Sequence, residues 1–367
     1  MMIDNSDEFS AQGLPVLIGS LPLDSHAKAL NLILEATPEI PLWPQLPSNP
    51  SEQMLPQFAE GIPCIVEENH GGRENKIYFD ISYNGFDEAM LAFYEDYLMV
   101  SENQEMLTGS RFTTSRERAA GLYLLTDKLA TQQPEIHAVK GQVTGPFTML
   151  TGIKDLQGRA GYFDDTIRDM VIKGISMKAA WQTSLLKNSS SHQVILFIDE
   201  PALAGLGSSA FISVTADEIK KMINEVAGAI HLAGGLAGIH VCANTDWGLL
   251  LESEIDILSF DAYGFFDRIA PLTKQISAFL DRSGIVAWGG VPTSRAEDIE
   301  AESTETLTEL WKSQAESIMG TDRDKTDVLR QTLITPSCGT GSLTPELART
   351  VLNLTSSVSK ALRAEFL

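Results

Sequence analysis

The chain has 367 residues, of which 43% are hydrophobic and 21% are charged, enough for one large globular domain or two smaller ones. Its 49 acidic and 27 basic residues give a formal net charge of -22, which repels phosphates and argues against a nucleic-acid partner. Three cysteines are too few for a disulfide framework. Because we find neither a membrane-length apolar run nor the apolar core of a signal peptide, we expect a cytoplasmic enzyme or binding protein without a membrane partner.

The N-terminal part of the chain alternates short apolar runs with helical patterns. Residues 15–20 (PVLIGS) predict a buried strand, and Ser25 can cap the helix that follows. Residues 39–47 (EIPLWPQLP) are a second apolar run of strand length. A Gly-Gly pair with flanking alternation predicts a hairpin over 68–82, and residues 86–100 have helical spacing. We assign residues from about 49 to 109 to an insertion after the second strand.

From residue 136 onward, apolar runs of strand length alternate regularly with helical segments. We count eight strands in all, most of them followed by a helix, which predicts an α/β fold with a single (β/α)8 barrel over residues 1–367. A doubly wound open sheet is the alternative, but its site would lie at one switch point. Here residues with useful chemistry follow almost every strand, as on the rim of a barrel enzyme. They are Ser20, Gln45, Gln142, Asp199, His240, Asp261, Gly290 and Cys338.

One of these strands carries two potential metal ligands. His240 and Cys242 are two residues apart, so in an extended strand their side chains point to the same face. Asp261 and Cys338 each follow another apolar run, and imidazole and thiolate are ligands that zinc prefers. Any one of them alone would more simply be a packed core residue, or the cysteines could hold a structural zinc. Their joint placement favours a catalytic metal site.

A site with one nitrogen and two sulfur ligands suits a particular chemistry. Two thiolates lower the Lewis acidity of a metal, so activation of water is a less natural use than binding a substrate thiol. A bound thiolate stays nucleophilic at neutral pH and can attack an activated methyl group. Asp261 would be the fourth ligand. Asp199 would bind a cationic group such as an ammonium, or else cap a helix or form a structural ion pair.

Six motifs resemble the catalytic C-terminal barrel of cobalamin-independent methionine synthase, in the superfamily that includes uroporphyrinogen decarboxylase. They are IGSLP, QVTGPFTML, FIDEPAL, HVC, SFDAYG and TPSCG, and the resemblance runs from residue 13 to about 350. It implies that His240, Cys242 and Cys338 are catalytic zinc ligands. It also implies that homocysteine contacts Asp199 and the backbone of Ile18, Gly19 and Ser20.

The chain departs from this family at two side chains. The family's carboxylate zinc ligand is a glutamate, whereas the aligned residue here is Asp261, one methylene shorter. The glutamate that helps to hold the amine of homocysteine aligns with Gln45. This second change leaves coenzyme M or another small thiol open as the acceptor.

Two further departures concern the methyl donor. We expect no second barrel for a folate donor, and residues 288–294 lack the family's proton-donating histidine. Methyltetrahydrofolate needs a general acid for its amine leaving group, whereas a methylated corrinoid releases cobalt(I) without a proton. The chain thus resembles the short core methionine synthases, which take the methyl group from methylcobalamin or a corrinoid protein.

The sequence therefore predicts a zinc-dependent methyltransferase that converts homocysteine to methionine with a methylcorrinoid donor. Three alternatives stay open: a methylcorrinoid:coenzyme M or other small-thiol methyltransferase, a metal-free enzyme resembling uroporphyrinogen decarboxylase, and a non-catalytic zinc- or corrinoid-binding module. The net charge of -22 argues against the decarboxylase, because that family grips its substrate's carboxylates with arginines.

Overall fold

The computed structural model describes residues 9–68, 76–131, 136–208, 211–319 and 323–367. The strands are β1 (Ile65–Glu68), β2 (Lys76–Phe79), β3 (Ala138–Thr144), β4 (Gln193–Asp199), β5 (Leu236–Val241), β6 (Ile257–Phe260), β7 (Ile285–Val291) and β8 (Thr332–Pro336). The α-helices are α1 (His26–Ala36), α2 (Phe86–Glu102), α3 (Ala120–Thr131), α4 (Pro146–Gly152), α5 (Asp165–Ser189), α6 (Ala216–Leu232), α7 (Trp247–Leu251), α8 (Ala262–Ile269), α9 (Thr273–Asp281), α10 (Ala296–Ala301), α11 (Thr304–Ile318), α12 (Lys325–Arg330) and α13 (Pro345–Phe366). Short 3-10 helices span Pro50–Glu52, Pro56–Phe58, Gln104–Leu107, Gly161–Phe163, Pro201–Gly205 and Ala270–Leu272.

The central feature is one parallel sheet in the order β3-β4-β5-β6-β7-β8. It curls through 196° and stays open, as a half-barrel. Helices cover its outer face, with α5 against β3 and β4, α6 against β5 and α13 against β8. All six carboxyl ends lie at one edge because the strands are parallel, and this edge carries the candidate site.

The predicted closed (β/α)8 barrel is wrong, because the two N-terminal apolar runs are not strands. Their strand-like pairing is limited to isolated bridges: Pro15 with Ile334, Leu42 with Lys140, and Ser20 with Gln45 between the two runs. Prolines at positions 15, 41, 44 and 47 remove the N–H donors that a continuous ladder needs. The two runs lie extended beside the edge strands β3 and β8 without completing the sheet.

Alternating residues of the curled sheet form an inner core, as the strand period of two requires. Ala138, Ile195, Phe197, Ile257, Ile285, Ala287 and Leu333 belong to it. Leu14, Val16 and Ile40, from the two extended runs, pack on the same cluster. Burying one such aliphatic side chain stabilises a fold by about 1.5–3 kcal/mol, so this packing adds to backbone hydrogen bonds such as that from the Val16 amide to the Ile334 carbonyl at 2.9 Å.

Between residues 49 and 109 the structure contains a short hairpin and a long helix. β1 and β2 pair antiparallel from Ile65–Phe79 to Glu68–Lys76, so a hairpin is present, but over 65–79 rather than the predicted 68–82, and its Gly-Gly pair lies outside the described residues. α2 confirms the helix predicted from the spacing of residues 86–100, and its Phe86 and Phe93 side chains are buried. The Phe79 amide donates to the Lys154 carbonyl at 3.0 Å. The hairpin is thereby fastened to the segment that follows α4.

Two helices show how local sequence fixes the outer layer. The Asp164 side chain accepts hydrogen bonds from the amides of Thr166 and Ile167, which starts α5. Thr215 and Glu218 form a reciprocal capping box at the start of α6. α5 packs on β3 and β4, and α6 packs on β5.

Candidate metal centre

Three of the predicted ligands converge at the carboxyl edge of the sheet. His240 lies near the end of β5, Cys242 follows that strand directly, and Cys338 comes two residues after β8. One potential ligand atom from each lies within 4.8 Å of the other two. These residues therefore form a possible metal-binding group.

The His240 ring is held in one orientation. Its Nδ1 lies 2.9 Å from the Ser259 hydroxyl, on the adjacent strand β6 where the two residues are in register. Its Nε2 is buried and has no hydrogen-bond partner among the described residues. A buried imidazole nitrogen without a partner is costly unless it binds something else. The donor set, one imidazole and two thiols, is one that fits zinc.

The two thiols behave as a pair with unequal acidity. A hydrogen bond from Cys338, helped by His240, lowers the pKa of Cys242. The same contact raises the pKa of Cys338, and burial raises it further. The pair therefore releases one proton readily and keeps the second. A cation between the sulfurs would displace that second proton.

Asp261 lies outside the group of three. Its carboxylate caps α8 by accepting a hydrogen bond from the Gly264 amide at 2.7 Å. Burial raises its pKa, and the neighbouring Cys242 raises it further. Asp261 is therefore close enough for the charge of Cys242 to affect its pKa. Its role as fourth ligand stays a prediction.

The three ligands open onto a cavity of about 230 Å³ at the same edge. Its lining includes Ile18, Ser20, Gln45, Pro47, Glu52, Gln53, Met54, Thr144, Asp199, Pro201, His240, Cys242, Cys338 and Gly339. Most residues predicted to bind substrate thus line this cavity. No arginine or lysine is among the described residues that line it.

The adjacent carboxylates Asp199 and Glu200 have separate roles. Asp199 lines the cavity, and its Oδ1 has no hydrogen-bond partner within the described part of the chain. Burial raises its pKa to about 6, against the attraction of Lys140 and His240. Glu200 points away and caps α4, accepting from the amides of Phe147 at 2.9 Å and Thr148 at 2.8 Å. The helix-capping role that the sequence left open for Asp199 is therefore filled by Glu200.

The wall formed by residues 18–20 depends on close backbone approach. Gly19 has a φ of 153°, and a Cβ there would lie 2.8 Å from Gln45 Oε1, so a larger side chain is disfavoured. The Ser20 carbonyl accepts the Thr340 amide at 3.0 Å, which ties the wall to the loop after β8. Gln45 Nε2 donates to Gln57 Oε1 at 2.5 Å.

Sequence reasoning missed two residues at this site. Glu52 lines the cavity and is buried, with Oε1 2.6 Å from His26 Nε2 and Oε2 accepting the Leu46 amide. No strand pattern precedes Glu52, so the sequence carries no clear signal for it. Lys140 lies beneath the cavity in β3, two residues before Gln142. Its even spacing with Gln142 places both on the inner face, a signal that was present in the sequence.

Comparison with known proteins leaves the family open, since no family model and no curated protein matches the chain. Within the described ranges, none of the helices combines the length and apolar character needed to cross a membrane.

Proposed function

We propose that this protein is a zinc-dependent thiol methyltransferase that methylates homocysteine with a methylated corrinoid as donor. The observation that carries the proposal is the group formed by His240, Cys242 and Cys338, which opens onto a cavity shared with Asp199. An unpartnered Nε2 and two thiols match the ligands of a catalytic zinc that keeps one position for substrate.

When bound, zinc lowers the pKa of a substrate thiol and leaves the sulfur nucleophilic at neutral pH. The chain's own residues supply the rest of the site. Asp199 would accept hydrogen bonds from the ammonium of homocysteine, while the backbone of residues 18–20 would contact the same ligand. Ser259 holds the His240 ring, and Asp261 would complete the ligand set.

The choice of methyl donor depends on whether the site can supply a proton to the leaving group. The segment after β7 begins PTS, and residues 288–294 contain no histidine. Thr293 and Ser337 instead hydrogen-bond to each other there at 2.9 Å. A hydroxyl pair is a poor general acid for an amine leaving group, whereas cobalt(I) leaves without a proton. This supports methylcobalamin or a corrinoid protein over methyltetrahydrofolate.

The test is methionine formation from L-homocysteine by the zinc-loaded protein. We expect product with methylcobalamin and none with methyltetrahydrofolate. Cys338→Ser is the matched variant, because it replaces one ligand sulfur and keeps the side chain small. It should lose turnover. Absence of methionine with either donor would contradict the proposal.

Gln45 supports a second acceptor class, since an amide takes the place where an amine-binding carboxylate was expected. Coenzyme M, an anionic sulfonate, is the competing thiol. The cavity offers it Glu52 and Asp199 but no lysine or arginine among the described lining residues, which disfavours an anion. A panel of thiols ranked by turnover decides between the two. A preference for coenzyme M would replace homocysteine in the proposal.

A further inference from the structure

Gln57 is a buried glutamine in the short 3-10 helix Pro56–Phe58, and the proposed chemistry so far gives it no part. Its Nε2 donates to the Arg118 carbonyl at 2.6 Å, and its Oε1 accepts a hydrogen bond from Gln45 Nε2 at 2.5 Å. Gln57 therefore joins a backbone group to a side chain that lines the cavity.

These two contacts fix the orientation of both amides. A backbone carbonyl only accepts hydrogen bonds, so the end of the Gln57 amide that meets Arg118 must be the NH2 group. The opposite end is then the oxygen, and only a donor can bond to it. Gln45 therefore turns its own NH2 group toward Gln57 and its Oε1 away from it.

The Arg118 residue at the start of this series is itself held at several points. Its amide donates to the Ser115 carbonyl at 3.1 Å, and its guanidinium pairs with Glu67 at 2.9 Å. The guanidinium also donates to the Pro56 carbonyl, next to Gln57. Because Arg118 contacts the 3-10 helix through both its side chain and its carbonyl, the Gln57 amide is held against turning over.

Gln45 Oε1 is left as an acceptor for a ligand. The bond to Gln57 is the only hydrogen bond that the Gln45 side chain makes with the described residues. The Gln45 amide donates to the Gly19 carbonyl at 3.1 Å and its carbonyl accepts the Leu21 amide at 3.0 Å, which fixes its backbone. Oε1 lies against the wall at residues 18–20, only 2.8 Å from where a Cβ at Gly19 would be. A neutral oxygen fixed there favours a donor whatever the ionisation of neighbouring carboxyl groups.

The same geometry requires an amide at position 45. A carboxylate there would place an acceptor oxygen against Gln57 Oε1, which cannot turn away because its NH2 group is bound to Arg118. An amide offers a donor to Gln57 and an acceptor to the cavity.

We propose that Gln57 is a positioning residue: it holds the Gln45 amide with Oε1 toward the cavity, so that the site favours thiols carrying a hydrogen-bond donor such as an ammonium over thiols without one. This inference rests on the proposed function, because it assumes that a thiol occupies the cavity. Gln45 contacts the ligand, and Gln57 acts only through Gln45.

The experiment measures how strongly the cobalt-loaded protein prefers L-homocysteine over 4-mercaptobutanoate, which differs only in lacking the amino group. Thiolate-to-cobalt absorption gives the dissociation constant of each thiol without turnover. The variants are Gln45→Met, Gln57→Met, the double variant, and Gln57→Leu as a second replacement. Gln314→Met is the matched control: Gln314 is also buried and accepts from Trp288 Nε1 at 2.6 Å while donating to the Ala262 carbonyl at 2.8 Å, but it does not line the cavity.

Gln45→Met should reduce the preference for L-homocysteine about tenfold, because the acceptor is lost. Gln57→Met and Gln57→Leu should each reduce it about threefold to tenfold, because the Gln45 amide then turns freely. Adding Gln57→Met to Gln45→Met should change the preference by less than about twofold, since Gln57 acts only through Gln45. Gln314→Met should leave it unchanged.

A further full loss in the double variant, no loss in either Gln57 variant, or failure of both Gln57 variants to fold would assign Gln57 to the core alone and overturn the inference. A wild type that binds both thiols equally would also overturn it, while leaving the proposed function in place. If the metal-loaded wild type binds neither thiol, the proposed function itself fails, and the inference fails with it.

Discussion

Ser259 shows how one residue outside the ligand group can set the chemistry of the site. Its hydroxyl lies 2.9 Å from His240 Nδ1, and both residues are buried. A hydrogen bond at one imidazole nitrogen fixes the ring orientation and leaves the other nitrogen free for a metal. The direction of Nε2 therefore depends on a residue that is not itself a ligand.

Replacing Ser259 with alanine should weaken zinc binding by about tenfold to a hundredfold, because the ring loses the bond that orients it. Competition with a chromophoric chelator measures the dissociation constant. Ser253→Ala is the control, since Ser253 is also buried but donates to the Leu249 carbonyl, away from the site. Equal zinc affinity in the two variants would show that the Ser259 contact has no such role.

Among the elements, β7 depends on close packing with its neighbour. A Cβ at Gly289 would lie 2.3 Å from the Phe260 carbonyl oxygen, which is backbone and cannot move aside without shifting β6. Gly228, within α6, offers a contrast because a Cβ there meets no described atom within 4 Å.

Gly289→Ala should lower the free energy of unfolding by about 1–3 kcal/mol, because the added methyl overpacks the sheet. Gly228→Ala should instead raise it by about 0.5–1 kcal/mol, through the better helix propensity of alanine. Urea denaturation of both variants measures the two changes. A stabilised Gly289→Ala would contradict the predicted clash with the Phe260 carbonyl oxygen.

A second element-level contact joins the end of α6 to the start of β6. His231 Nε2 lies 2.7 Å from Asp256 Oδ2, which also accepts the Ala237 amide. The hydrogen bond to Asp256 raises the pKa of His231 above its ordinary value of about 6.5. The protonated ring therefore stabilises the fold. This contribution is complete below pH 6.5 and is lost as the pH rises through the raised pKa.

The difference in unfolding free energy between wild type and His231→Gln should accordingly be largest below pH 6.5 and shrink at higher pH. Urea titrations across this pH range measure it. In an Asp256→Asn background the same substitution should show no such pH dependence. A difference that grew with pH would contradict the assigned pair.

At the scale of the whole molecule, the sequence predicted the sheet better than its closure. The strands from β3 onward follow from apolar runs of strand length, and the ligand atoms of His240 and Cys242 lie close together, although Cys242 comes just after β5 rather than within it. Closure depends on how two proline-bearing runs meet edge strands far away in the chain. An apolar run that becomes a strand and one that merely lies extended look alike locally.

The residues of the candidate site were predictable where they lie at the end of an apolar run of strand length. Asp199 ends β4 and Cys338 follows β8, and both strands are visible in the sequence as apolar runs. Glu52 reaches the cavity from a short 3-10 helix, where no hydrophobic periodicity predicts which way the side chain points. Asp261 was placed after the correct strand, but the helix that begins there takes its carboxylate as a cap.

The acidic surface has a consequence for stability. A net charge of -22 makes the folded state repel itself, and salt shortens the range of that repulsion from about 30 Å at 0.01 M to about 8 Å at 0.15 M. We expect the melting temperature to rise by a few degrees over this range. Choline chloride should act as sodium chloride does, because screening needs no particular cation. An unchanged melting temperature would contradict this reasoning.

The attachment of the N-terminal run bears on how the protein forms during synthesis. The Gly13 amide donates to the Thr332 carbonyl, and its own carbonyl accepts the hydroxyl of Ser359 in α13. These partners leave the ribosome only after more than 300 further residues, since the Ser359 contact spans 346 positions. The cavity wall at residues 18–20 therefore cannot reach its final structure until β8 has been translated. A nascent chain stalled before β8 would have β3 to β7 available for pairing but no finished pocket.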